Sequence, residues 1–294
     1  MKIIQFIHPG TEHTCNTGSN WNTGTHRRKY LELAGKYLTA LDTDPIAAEK
    51  LYFWGEWEAQ SHCRRINHPV PDGPHFIFNP YYHLPLPVNA ANTDPFVFGD
   101  QFYYCICKQA HYSSLRDLKP GDIILFGSCK NKQFVLDTVF VVKNKSSYFL
   151  NKITSFRKKL NEAFSDVSFG PLEQLSRVDK KELLEQNNLC LPLTCDDDTD
   201  YCASVQEDEY FVYEAVMYEE RHDFNGMFSY APCLANETGS LGFARPEISN
   251  PEIITQTLNQ GLRITDVDST NPYWLDTTQQ VMDKKLELMI ENSL

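Results

Sequence analysis

The sequence contains no CxxC pair, no GxxxxGK[ST] phosphate loop and no HExxH motif. No apolar run approaches the roughly 18–20 residues that cross a bilayer. The first absence removes zinc ribbons and dithiol redox motifs, the second P-loop nucleotide hydrolysis, and the third the zincin metalloproteases. Only five apolar-leaning residues, Ile3 to Ile7, precede His8-Pro9-Gly10. That is too short for a secretory signal, so the expectation is a cytoplasmic chain with no membrane partner. Cysteine is present nine times, an odd number. Cys105 and Cys107 flank Ile106 in an apolar run, which reads as buried, reduced thiols. No internal repeat or low-complexity tract is visible.

Aromatic residues are plentiful, with 18 Phe, 15 Tyr and 4 Trp, which suits a β-rich core or a stacking pocket. Net charge is −12, which argues against generic attraction to nucleic-acid backbone. The charge is uneven, however. Residues 195–209 hold seven acids and no base, whereas residues 130–159 hold eight Lys or Arg against Asp137 alone. A nucleotide or nucleic-acid partner therefore stays open.

Hydrophobic spacing suggests an α+β chain. Tyr30, Leu33, Ala34, Tyr37, Leu38 and Leu41 follow helical spacing, predicting an N-terminal helix over 26–41 with Thr25 as N-cap. Residues 51–58 read as a strand, and the proline-rich stretch 63–95 as an irregular excursion. Pro120-Gly121-Asp122 marks a turn before a strand at 123–126; a loop at 128–132 leads to a second strand at 134–142. Two charged helices interrupted by Gly170-Pro171 are expected within 151–187, followed by an acidic loop. Asn250-Pro251 to Gly261 reads as a short helix, and 277–291 as a final one. The organisation expected is a core in 1–150, a helical insertion with the acidic loop in 151–200, and strands and helices of 201–294 returning to complete the core.

The candidate site residues lie in three stretches. In "HPGTEHTCNTGSNWNTGTHRRKY", a polar loop containing Asn22 leads to His26, Arg27, Arg28 and Lys29. Bases in a helix's first turn oppose its dipole, so an anion nearby would explain them. His13 and His26 suit general acid–base chemistry. The spacing of His8, His13, Cys15 and His26 matches no familiar metal site, so none is expected, and the cofactor is left open. In "FWGEWEAQSH", strand alternation places Trp54, Glu56 and Glu58 on one face and Phe53, Gly55 and Trp57 on the other. Indole offers a stacking face, and carboxylates accept from base N–H groups. The alternative is that the glutamates neutralise Arg64, Arg65 or the Arg27–Arg28 pair. Late in the chain, Ser229 and Arg245 are polar residues in a loop-rich stretch; Pro246 biases Arg245 to an extended backbone. Asp137, in an apolar row, needs Arg or backbone donors if buried.

The pattern "LKPGDIILFG…FVLDTVFVV" resembles the central hairpin of PUA-like barrels, including EVE and ASCH domains, over about 50 residues. That resemblance implies a mixed or antiparallel β-barrel core and binding of RNA or modified bases. The chain also resembles uncharacterised bacterial proteins found beside DNA-modification and phage-defence genes. The reading is an intracellular nucleotide- or modified-base-binding protein. In it Trp54 or Trp57 stacks, Glu56 or Glu58 accepts hydrogen bonds, and Arg27, Arg28 and Arg245 meet phosphate. One alternative is a hydrolase or transferase using His13 or His26 with Glu58 or Glu56; another is a protein-interaction module.

Overall fold

The computed structural model describes residues 1–15, 21–22, 28–82, 93–171, 173, 209–235, 241–256 and 261–294, with backbone only at 21, 22 and 151. Thirteen strands are present among them. They are β1 (Lys2–His8), β2 (Trp21–Asn22), β3 (Arg28–Leu38), β4 (Ile46–Glu56), β5 (Ser61–Arg65), β6 (Phe76–Pro80), β7 (Tyr103–Tyr104), β8 (Ile123–Lys130), β9 (Gln133–Phe149), β10 (Glu209–Ala215), β11 (Ala231–Ala235), β12 (Gly261–Asp266) and β13 (Glu287–Asn292). They form two sheets, ordered β12-β1-β8-β9-β10-β7 and β13-β11-β4-β3-β6-β5-β2. The protein is thus α+β and strand-rich. Strands from the last third pair with strands from the first half in both sheets. Pairing is antiparallel except for β1 with β8 and β3 with β6. Two apolar clusters form the core, and each draws on both sheets. One contains Phe6, Leu31, Phe53, Trp57 and Phe140; the other contains Ile7, Tyr30, Trp54, Val139 and Trp274.

The expected helix over 26–41 is corrected: residues 28–38 are the central strand β3, flanked by β4 on one side and by β6 and β13 on the other. Arg28 to Glu32 are all buried, with Tyr30 and Leu31 in opposite clusters. A strand covered on both faces shows no clean alternation. The bulge between Leu33 and Gly35 then shifts its phase into apparent helical spacing. Gly35 gives the strand away, since a Cβ there would lie 2.3 Å from the Glu291 carbonyl oxygen.

Two more helices are corrected. Residues 250–256 make a turn in which the Asn250 side chain accepts from the Glu252 N–H, and Gly261, at φ 102°, opens β12. The final helix spans Asn271–Asp283, with Pro272 in its first turn, and gives way to β13. There Leu286, Leu288 and Ile290 enter one cluster and Met289 the other, a period of two. The expected hairpin is present, with its loop tightened to Asn131 and Lys132, both at positive φ. Short helical turns occupy 150–171, where Gly170 and Pro171 are themselves helical. The acidic loop lies outside the described residues.

Cysteine usage departs from expectation in one place. Cys105, Cys107 and Cys233 are buried free thiols, whereas Cys15 and Cys63 form a disulfide. It ties the loop after β1 to β5. Among the described residues no helix is long and apolar enough to cross a membrane, and no group of three His, Cys, Asp or Glu is placed to hold a metal.

A buried arginine–carboxylate centre as candidate functional site

Register explains how Asp137 leaves the ladder. Phe126 pairs with Thr138 and Gly127 with Leu136, so Asp137 is the extra residue of a β-bulge. A bulge re-aims a side chain, and here it sends a carboxylate into the interior. Gly127 permits it: a Cβ there would sit 2.3 Å from the Val135 carbonyl oxygen and 2.4 Å from the Phe134 ring. On the other edge of β9, the Leu136 N–H donates to the Pro246 carbonyl and the Ile248 N–H to that of Phe134. This pairing holds the extended segment that carries Arg245.

Two arginines converge on Asp137. Arg28 Nη1 donates to Asp137 Oδ2 at 3.3 Å, and Arg28 Nη2 lies 3.6 Å from Glu56 Oε2. Arg28 and Glu56 face each other across β3 and β4. Arg245 Nη1 lies 3.6 Å from Asp137 Oδ1 and donates to Ser128 Oγ, while its Nη2 donates to the Gly10 carbonyl at 3.2 Å. The guanidinium also rests 4.1 Å from the centre of the Trp54 ring. A desolvated contact of this kind is worth about 2 kcal/mol. Burial pushes the Asp137 carboxyl up to about 6, against the pull of Arg245 and Arg28. The Trp54 N–H lies near enough to favour the ionised carboxylate, yet outside hydrogen-bond geometry.

Hydrogen-bond accounting leaves donors in surplus. Four donor atoms, Arg28 Nε and Nη2, Arg245 Nε and Trp54 Nε1, lie outside hydrogen-bond geometry to any acceptor, against two acceptor atoms, Asp137 Oδ1 and Glu56 Oε1, in the same cluster. Buried polar atoms are normally paired, so such a concentration is uncommon.

A second ionic pair lies beside the first. Lys29 Nζ donates to the Trp57 carbonyl at 2.6 Å and sits 3.7 Å from Glu58 Oε1, both side chains fully buried. Burial lowers the Lys29 amine, opposed by Glu58 and Glu56. Nearby, Asp94 accepts from the N–H groups of Cys105, Ile106 and Cys107 at 2.6–2.9 Å. Its complete burial nevertheless pushes the carboxyl up to about 6. Nothing in the sequence singles out Asp94, because its three donors are adjacent backbone groups of one tight turn.

The loop after β1 clamps the centre. Glu12 accepts from the backbone N–H groups of His75 and Phe76. The His13 ring stacks on Phe78 at 5.4 Å, and the His13 N–H donates to the Arg28 carbonyl. Cys63, the disulfide partner of Cys15, pairs with Phe78 across β5 and β6.

Of the residues nominated from sequence, Arg28, Trp54, Glu56 and Arg245 therefore meet, with Asp137 between the arginines. The alternative reading of the glutamates holds in part: Glu56 neutralises Arg28, while Arg64 pairs with Glu32. Several expectations need correction. Glu58 lies beyond the end of β4 and faces Lys29 rather than sharing the Trp54 surface. Trp54 is 2% exposed, with Tyr30 edge-on at 4.6 Å and Arg245 over its ring, so neither face is open for a base to stack. Trp57 is core, packed on Phe98 with its N–H donating to the Gln60 carbonyl. Ser229 is away from the centre; its hydroxyl accepts from the Val141 N–H and staples backbone. Asn22 lies on β2 opposite Ser61, and its side chain falls outside the described residues, as do His26 and Arg27. Comparison with protein-family models, curated proteins and solved structures gives no match for this chain.

Proposed function

We propose that this protein binds a nucleotide or a modified base through the Arg28–Asp137–Arg245 centre. The observation that carries the reading is the surplus of buried donors around Asp137. Phosphate oxygens and the acceptor edge of a nucleobase are the ligand groups that such a surplus fits. Arg28, Arg245 and the Trp54 N–H would meet the acceptors, and the Trp54 ring would also hold the Arg245 guanidinium in place. The hairpin likeness to PUA-like barrels supports the same ligand class, and we keep the barrel relation, an intracellular setting and a link to nucleic-acid modification or defence as parts of this proposal. The hydrolase or transferase alternative has less support, because Glu58 is engaged by Lys29. The interaction-module alternative has no observation of its own.

Calorimetric titration with a panel of nucleotides and modified nucleosides tests the proposal. The parent should bind at least one, and Trp54→Phe, which removes the indole N–H but keeps an aromatic ring, should bind it about tenfold more weakly, the loss of about one hydrogen bond. Equal affinity in a folded Trp54→Phe variant, or no binding across the panel, would sink it.

A further inference from the structure

Beside the centre lies a cleft of about 500 Å³ whose lining includes Lys130, Lys284, Lys285 and Arg245 against Asp72 and Glu247. The acids cancel the bases only in part. Asp72 is paired with Lys130 at 2.9 Å and Arg245 turns its charge inward to Asp137, so Lys284 and Lys285 face Glu247 alone and the lining keeps a net positive charge. Lys284 and Lys285 are exposed, and no ion pair among the described residues uses either. They arrive from the end of the final helix, whereas Lys130 arrives from the β8–β9 turn, so separate parts of an acidic chain bring like charges together.

Lys285 shares its backbone geometry with Lys108 and Lys132, but of the three it alone lines the cleft. It sits just beyond the helix end at φ 61°, the left-handed region that glycine enters without penalty. The helix dipole favours a cation near this end, but it does not favour a side chain that the backbone there resists. A role for the charge in the cleft accounts for both features. Val135, Leu234 and Leu286 supply the apolar part of the cleft's lining.

We propose that this cleft is a phosphate-binding site, receiving the phosphate of a free nucleotide or of a nucleic-acid strand on Lys284 and Lys285. The proposal stands on the charges of the cleft and does not require the buried centre to take a ligand. A nucleotide that reached both sites would do so along Arg245, which lines one and completes the other.

The test is anisotropy titration of a labelled ten-nucleotide single strand at several salt concentrations, with tripolyphosphate and a mononucleotide as competitors. Each phosphate contact on a single strand contributes a salt slope of about 0.7. Lys284→Gln/Lys285→Gln should therefore lower the slope by about 1.4 and the affinity at 0.1 M salt by roughly 25-fold. Lys285→Gly should bind about fivefold more weakly while unfolding at the same or a higher temperature, which separates the charge from any structural service. Displacement by the mononucleotide at micromolar levels supports a free nucleotide as the source; displacement only by excess strand supports nucleic acid. Equal competition by tripolyphosphate supports the cleft as a phosphate site that does not read the base. Parent-like affinity and slope in both lysine variants would overturn the cleft and leave the centre's reading standing. No binding of strand, nucleotide or tripolyphosphate by the parent overturns the cleft, and the centre's reading falls with it only if the panel of nucleotides and modified nucleosides is not bound either.

Discussion

Arg245 separates two populations of charge that obey different rules. On its inner side, Arg28, Glu56 and Asp137 are almost wholly removed from water, and each is held by partners placed through strand register. On its outer side, Lys284 and Lys285 are exposed and fixed by nothing but the helix that ends there. Taking a charge out of water costs several kcal/mol, so an inner charge must be compensated in place. An outer charge costs little to keep and contributes little to folding. The inner set should therefore govern stability, and the outer set binding.

The sharpest way to break this comparison is to remove the shared carboxylate. Asp137→Ala leaves the buried Arg245 guanidinium without a carboxylate and Arg28 with Glu56 alone, and should lower unfolding free energy by about 3–5 kcal/mol. Lys284→Gln should stay within about 0.5 kcal/mol of the parent. Urea denaturation of both variants measures the contrast. Similar midpoints would mean that the inner charges are solvated in the folded protein and that the division is wrong.

Acidity gives the next largest effect. Asp137 and Asp94 are both raised to about 6 by burial, from an unfolded value of about 3.9. A carboxyl raised in the folded state binds its proton more tightly there. Its contribution is full below pH about 4 and is lost as pH rises through about 6. A shift of about two units corresponds to roughly 3 kcal/mol for each group. The stability difference between parent and Asp137→Asn should accordingly move by about that amount against the parent between pH 4 and pH 7. A difference constant with pH would show that Asp137 is ionised throughout.

How much of this was legible in the sequence depended on backbone geometry. That Asp137 required cationic partners followed from one acid in an apolar row, and the opposite placement of Trp54 and Trp57 followed from strand alternation. The participation of Arg28 was visible only as part of a supposed helix start. Its charge is plain in the sequence, but β3 is buried on both faces and bulged at Leu33 and Gly35, so its spacing imitates a helix. The bulge at Asp137 was likewise hidden, since a single inserted residue leaves no mark in composition and only reverses the alternation after it. Alternation does not reach Glu58, because β4 ends at Glu56, two residues short of the strand expected over 51–58. Asp94 had no signal at all, because what it binds is main chain.

Gly127 offers a test of intermediate size on the inner side. An alanine methyl there must displace the Val135 carbonyl or the Phe134 ring. Overpacking of this kind costs about 1–3 kcal/mol. Because the bulge itself would be disturbed, Gly127→Ala should also reduce the pH dependence attributed to Asp137. If the variant lost stability with the pH profile intact, the bulge would not be what aims the carboxylate.

The smallest expected effect has the opposite sign and is the most discriminating. Lys285 occupies a left-handed position, where replacing an ordinary residue by glycine relieves backbone strain. Relief of a left-handed penalty of about 1–2 kcal/mol, less the greater chain entropy of glycine and a few tenths from the helix dipole, should make Lys285→Gly more stable by about 0.5 kcal/mol. No inner residue should behave in this way, because every inner charge is compensated by a neighbour that its loss would strand. Lys108 and Lys132 also sit at positive φ with no ion pair among the described residues, so it is the place of Lys285 in the cleft, and not its backbone alone, that sets it apart. If Lys285→Gly instead destabilised the chain by 1 kcal/mol or more in thermal unfolding, Lys285 would belong with the inner charges, and Arg245 would cease to mark the boundary between the two sets.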